Sequence, residues 1–308
     1  MLQLFHNANY DIMGKMKVAF ILSALIIGAG LVSLVARGGP RWSIDFTGGS
    51  VLQVVIQPTP GTAEVRRIIA GAGFRDAQVQ DFGSPQEFLI TLPGVESGGT
   101  SAANQAEAAL RAALPQAQVE LRREEKVGPK IGGELKTAAL NSVLAACFLV
   151  VGYLSVRFIF RYGVAALLAT LHDVIITLGV FSLLNKEISL SIVAAFLTII
   201  GYSLNDTIVV FDRIRENMRL RRREGYREVL NRSINETLSR TVLTAGTTLL
   251  TAFTLWLLGG PVIHDFAFCM TFGVLTGTFS SIFIASPLLL LWHERAARGE
   301  RRRAQPAM

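Results

Sequence analysis

Six stretches of the chain are apolar over lengths near or above 18 residues, and the polar positions gather between them. They are Met16–Ala36 and, roughly, Leu135–Val156, Gly163–Leu184, Ile188–Phe211, Thr241–Leu258 and Phe266–Trp292. A helix needs about 20 apolar residues to cross about 30 Å of hydrocarbon, so the pattern predicts six transmembrane helices. The first run begins beside Lys15 and Lys17, as a secretory signal would. It is too long for a typical signal core and no small-residue cleavage site closes it, so it is read as a retained helix.

The pattern changes between the first two runs. Val51–Gln57 alternates and ends at the Pro58-Thr59-Pro60-Gly61 breaker, which predicts a strand. Thr62 is placed to cap a helix through Ala70 that shows Val65, Ile68 and Ile69 on one face. Ala77–Phe82 and Glu87–Leu92 predict two strands around Gly83-Ser84-Pro85, followed by an alanine-rich helix over Ser101–Leu114 and a strand over Gln116–Arg122. The order β-α-β-β-α-β is the ferredoxin-like pattern. The expected fold is therefore an α-helical polytopic membrane protein with a ferredoxin-like α/β insert. Its segments are 1–37, the insert 38–130, the bundle 131–294 with a basic loop at 212–240, and a basic, disordered tail 295–308.

Charge adds an orientation. Arg157 and Arg161 separate runs two and three, eight arginines from Arg213 to Arg232 separate runs four and five, and Arg295–Arg303 is basic. The opposite short loops hold only Lys186. The positive-inside rule places both termini in the cytoplasm and the 38–130 insert outside. The net charge of +7 thus reads as topology signal and contact with membrane lipids, not nucleic acid. A short amphipathic helix, Tyr226–Ser239, is expected at the membrane interface, the alternative being an ordinary solvated loop helix. Asp212, Arg213, Arg215 and Glu216 read as edge anchors and surface ion pairs.

Few ionisable groups lie within the apolar runs, and each is a functional candidate. Asp206 is the first, with Tyr202 and Ser203 at i−4 and i−3 and Asn205 beside it. A carboxylate among apolar residues and next to a cation can load and release a proton. The alternative is a carboxylate that only pins two helices. Arg240 opens the fifth run on the same side and is the expected partner; its alternative role is that of an interfacial anchor. Thr244, Thr247, Thr248 and Thr251 follow Arg240 along one helical face, either ordering water or satisfying their own backbone carbonyls. Asp173 is a second candidate. Its neighbour His172 points about 100° away on a helix, so the two are not expected to face one partner equally, and a satisfied structural pair is as open a reading as a proton relay. His264 and Asp265 are read as structural, Asp265 as a helix cap. Cys147 and Cys269 read as small buried residues. No residue set suggests a metal or cofactor site, and no glycine pair is followed by the Lys-Ser/Thr of a phosphate loop.

Three segments carry a resemblance. Trp42-Ser43-Ile44-Asp45-Phe46-Thr47-Gly48-Gly49 follows the first run, Val127–Leu135 precedes the second, and Gly201-Tyr202-Ser203-Leu204-Asn205-Asp206 continues through Asn217. With Arg240-Thr241, Thr247-Thr248 and Gly259-Gly260-Pro261 in order, the chain resembles the SecF family over almost its whole length. The resemblance implies a half of a twelve-helix assembly completed by SecD. It implies proton-motive-force-driven late steps of preprotein export, after SecA has acted through SecYEG, and no catalytic chemistry of its own. It also implies proton conduction through Asp206 and Arg240, joined by an acid from SecD. Two other readings remain at this point: half of a proton-driven exporter of small molecules or lipids, for which the insert is small, and a non-transporting scaffold, which predicts no penalty from neutralising Asp206 or Arg240.

Overall fold

A computed structural model describes residues 5, 8–94, 102–157 and 160–304, with side chains to residue 298. Among the described residues, six helices are long and apolar enough to cross a membrane. The first is α1 (Met16–Ala36). A short turn of helix, α2 (Ile44–Thr47), leads into β1 (Gly49–Gln57), α3 (Thr62–Gly71), β2 (Gln78–Phe82), β3 (Ser84–Pro93), α4 (Ala102–Ala113) and β4 (Gln118–Val127). The remaining spans are α5 (Pro129–Arg157), α6 (Phe160–Leu183), α7 (Leu190–Leu220), α8 (Tyr226–Leu258) and a last span made of α9 (Gly260–Ser280), a π turn (Ser281–Ala285) and α10 (Ser286–Ala304).

The strands form one antiparallel sheet in the order β2-β3-β1-β4. On β1 the alternate residues Leu52, Val54 and Ile56 are buried, as a strand's period of two requires, against Val65 and Ile69 of α3 and Ala106 and Leu110 of α4. Thr62 does not cap α3. The N-cap is Gly61, and the Thr62 hydroxyl donates to Asp81 at 2.5 Å. β4 runs five residues past its predicted end. Arg122, Arg123, Glu124, Glu125 and Lys126 hide it, because an edge strand carries charge that blocks pairing with another chain. Ser101 lies outside the described residues.

In the bundle, α6 and α7 are the most enclosed single helices, while α5 and α8 leave most of their apolar surface uncovered within this chain. α1 crosses α6 where Gly30 meets Gly179. A Cβ on Gly30 would stand 2.6 Å from the Gly179 Cα, so only glycine permits this approach. Polar contacts flank the crossing: Ser33 to Ser182 at 2.8 Å and Arg37 to Asn185 at 2.7 Å.

The helix ends on the arginine-rich side differ from expectation. Tyr226–Ser239 is not a separate helix but the first four turns of α8, and α7 runs on to Leu220. The predicted 212–240 loop is a helical hairpin with a turn at 221–225. Charged residues end a hydropathy run without ending a helix, since Arg213–Glu236 and Asn217–Glu236 contacts at 2.6 and 2.7 Å join the two extensions. Likewise α10 stays helical through Ala304, where a disordered tail is predicted; 305–308 lie outside the described residues.

Candidate functional site

Asp173 sits at the centre of the bundle with no solvent exposure. Its Oδ1 faces His172 Nδ1 at 3.0 Å. Its Oδ2 accepts hydroxyl hydrogens from Ser203 of α7 at 2.6 Å and Ser280 of α9 at 2.7 Å. His172 Nε2 then reaches Ser23 of α1 at 2.9 Å. The two adjacent side chains thus fold onto each other, contrary to the expectation that they diverge, and one buried dyad links four helices. Three donors around one carboxylate satisfy a polar group that would be costly if left alone in this layer. The π turn begins directly after Ser280, where the last span changes its winding.

Asp206 lies one turn beyond Ser203 on α7 and is 3% exposed. Its position is different in kind. Among the described residues, the buried side-chain polar atoms without a hydrogen-bond partner are Tyr202 Oη, Asp206 Oδ2 and Thr241 Oγ1. All three belong to α7 and α8. The contacts of Arg213 and Asn217 with Glu236 and Ser233 set these helices antiparallel, which brings the Tyr202–Asp206 turn opposite the 241–248 part of α8.

Asp206 and Arg240 do not form the expected salt bridge. Arg240 is exposed and acts on Asp206 through space, not through a bond. The threonine stripe also departs from its first reading. Thr244 donates to the Arg240 carbonyl at 2.9 Å, Thr247 to that of Leu243 at 3.0 Å, Thr248 to that of Thr244 and Thr251 to that of Thr247, both at 3.1 Å. Their hydrogens are engaged within α8, and only their lone pairs face outward. Asn205 is exposed on α7, and Tyr202 is half-buried.

At the arginine-rich end of the bundle, Asp212 pairs with Arg157 at 3.2 Å and Arg213 with Glu216 at 2.7 Å, as edge ion pairs. Asp265 does not cap a helix: α9 begins at Gly260, and the Asp265 carboxylate instead meets Lys186 at 2.5 Å and His264 at 3.0 Å. Cys147 and Cys269 are free thiols, half-buried and buried.

The sequence did not mark Ser23 or Ser280 as part of the site. Single serines are common in apolar helices, and only knowledge of which helices touch would have selected them. Asn231 and Asn235 were missed for a similar reason. They bind mainly the backbone of the N-terminal segment: Asn235 accepts from the Tyr10 N–H and donates to the Tyr10 carbonyl, both at 2.9 Å, and Asn231 accepts from the Met13 N–H at 2.8 Å while donating to the Asp11 carboxylate.

A bundle of six apolar helices with a buried polar interior defines a multi-pass membrane protein. Comparison identifies the kind. Residues 106–295 match the family model described as protein export membrane protein SecD/SecF, C-terminal, and residues 32–60 match the SecD/SecF GG motif. The chain is 43% identical to the protein translocase subunit SecF of Gemmatimonas aurantiaca, over 96% of this chain and 90% of that one. It is 45% identical to the protein of the same name from Magnetococcus marinus, over 94% of each. The solved structure of SecDF from Thermus thermophilus, a translocon-associated membrane protein, matches with a TM-score of 0.83 at 38% identity, over 96% of this chain and 40% of that longer one. The chain belongs to the SecD/SecF family of protein-export membrane proteins, and its relatives over nearly their full length are SecF translocase subunits.

Proposed function

We propose that this chain works with SecD in the Sec machinery and uses the proton-motive force to drive late steps of preprotein export, with Asp206 as its proton-carrying group and Arg240 as the opposing charge. The observation that carries this is the unpartnered Oδ2 of a carboxylate buried on α7. A structural carboxylate in this layer collects donors, as Asp173 does. One that keeps an oxygen unpaired is available to take up a proton. Tyr202, Ser203, Asn205, Asp173, Thr244, Thr247, Thr248 and Thr251 are the supporting polar groups of this reading, and the outward lone pairs of the α8 threonines offer acceptors to water.

Asn205, Arg240, Thr247 and Thr251 are exposed on this chain. A polar face of this kind within the hydrocarbon layer asks for a protein partner, and SecD carrying an acid opposite Arg240 fits it. SecYEG, SecA and the preprotein enter as partners of the whole assembly. Both termini are read as cytoplasmic and the β1–β4 unit as extracytoplasmic, in the inner membrane; the sheet order supports the ferredoxin-like reading of residues 38–130. Segments 1–37, 131–294 and 295–308 are the anchor, bundle and basic tail. The chain supplies no catalytic chemistry.

One charge moved through 100 mV releases about 2.3 kcal/mol, enough to bias a two-state packing about fiftyfold. Protonation of Asp206 removes its attraction to Arg240 and shifts α7 against α8. Asp206→Asn is expected to abolish proton flux in vesicles holding this chain with SecD, while the complex still assembles. Wild-type flux in that variant would refute the reading.

A further inference from the structure

The segment matching the GG motif lies far from Asp206, yet it is built into the start of the same helix. The loop before α7 pairs with the linker before α2 through two backbone bonds. Ile188 N–H donates to the Arg41 carbonyl at 2.7 Å, and Ser43 N–H to the Ile188 carbonyl at 2.9 Å. Asp45 Oδ2 then accepts the Leu190 N–H at 2.9 Å, supplying a carboxylate to the first turn of α7. An acid at a helix N-terminus satisfies an orphan donor and complements the dipole. Phe46 and Ile188 are buried with Phe181, Ile192, Phe196 and Ile199, so the joint has an apolar floor shared by α6 and α7.

The other side of the same segment grips the sheet and α5. Gly94 N–H donates to the Gly48 carbonyl at 3.0 Å, and β1 starts at Gly49. Gly48 has φ +78°, and a Cβ there would stand 2.9 Å from the Pro129 Cα. One on Gly132 would meet the Phe46 carbonyl carbon at the same distance. These glycines therefore let α2 lie directly on the first turn of α5. Glu187, in the loop before α7, completes the contact by pairing with Arg41 at 3.0 Å and accepting from Gln78 of β2.

We propose that residues 41–49 are the mechanical joint of this chain: they tie the N-terminus of α7 to the sheet and to α5, so that a shift of α7 displaces the extracytoplasmic unit instead of being absorbed in a loose loop. Asp45 is a positioning residue here and touches no transported group. The inference rests on Asp206 as the proton site, and the two are separable by measuring proton flux and preprotein export in the same vesicles of the full complex with SecD.

Asp45→Ala is expected to leave proton flux at the wild-type level while export falls about fivefold, the worth of one lost helix cap. Asp45→Asn, which keeps an oxygen for the Leu190 N–H, is expected to restore most of that export. Full export in Asp45→Ala, or equal loss of flux and export, overturns the joint. Loss of flux absent from Asp206→Asn overturns the underlying proton reading instead. If Asp45→Ala does not accumulate, Gln78→Ala combined with Glu187→Ala removes the contact of β2 and Arg41 with the α7 loop while leaving the α7 cap in place. That pair is expected to retain flux and lose export, and unchanged export in it overturns the joint equally.

Discussion

Asp173 on α6 and Asp206 on α7 illustrate how surroundings assign roles to identical chemistry. Asp173 accepts from two serine hydroxyls and meets a histidine; Asp206 has no hydrogen-bond partner on Oδ2. Stability and function should therefore separate at these positions. Asp173→Ala strands His172, Ser203 and Ser280 together, and removing one member of a buried charged network costs about 3–5 kcal/mol. Ser280→Ala removes one donor and should cost about 1 kcal/mol. Asp206→Asn breaks no hydrogen bond at Oδ2 and should lose far less stability than Asp173→Ala. Thermal unfolding in detergent of the three variants tests this order. An Asp206→Asn protein as unstable as Asp173→Ala would show that Asp206 is structural. The residue types at this site were legible in the sequence, because an acid inside an apolar run is rare. Their partners were not, since pairing depends on which helices cross.

At the scale of elements, hydropathy located every span but misplaced several ends. A membrane helix is limited in its apolar length by the bilayer, not in its helical length. α7 and α8 continue past the apolar layer, where Arg213, Glu236 and Asn217 bind each other. The same extension of α8 holds the N-terminal segment. Asn235 satisfies both the N–H and the carbonyl of Tyr10, and Asn231 binds the Asp11 carboxylate at 2.8 Å as well as the Met13 N–H. With the N–H of Gly14, Asn231 holds the Asp11 carboxyl below its ordinary range. Ile12 and Met13 are pressed into the core beside Leu230 and Ile234. Asn235→Ala leaves the Tyr10 N–H without its partner and its carbonyl with the Ile12 N–H alone, at a local cost of about 1–3 kcal/mol. Hydrogen exchange at Ile12 and Met13 should then speed up by about tenfold or more, with α5 and the sheet unaffected. Unchanged protection would mean that the buried Ile12 and Met13 side chains alone hold the strap.

For the whole molecule, the question is how a charge event in the bundle reaches a sheet built around a separate core. The contact that joins them contains a titratable group, Glu187, whose carboxyl is pushed above its ordinary range, chiefly by burial, against the opposing pull of Arg41 and Gln78. An acid with a raised value in the joined state favours that state when protonated. The joined arrangement is therefore most stable below the ordinary carboxylate range and weakens as pH rises through the raised value. Asp265 nearby pushes the same way, since its negative charge opposes ionisation of Glu187. Glu187→Gln keeps an acceptor for Gln78 but cannot ionise, so it should hold the sheet against the α6–α7 loop across this pH range. A distance probe between β2 and the start of α7, read by spin labels in the assembled complex, should lengthen with rising pH in the wild type. It should stay constant in Glu187→Gln. A distance that moves identically in both proteins would place the pH response in another group and leave the joint a passive connection.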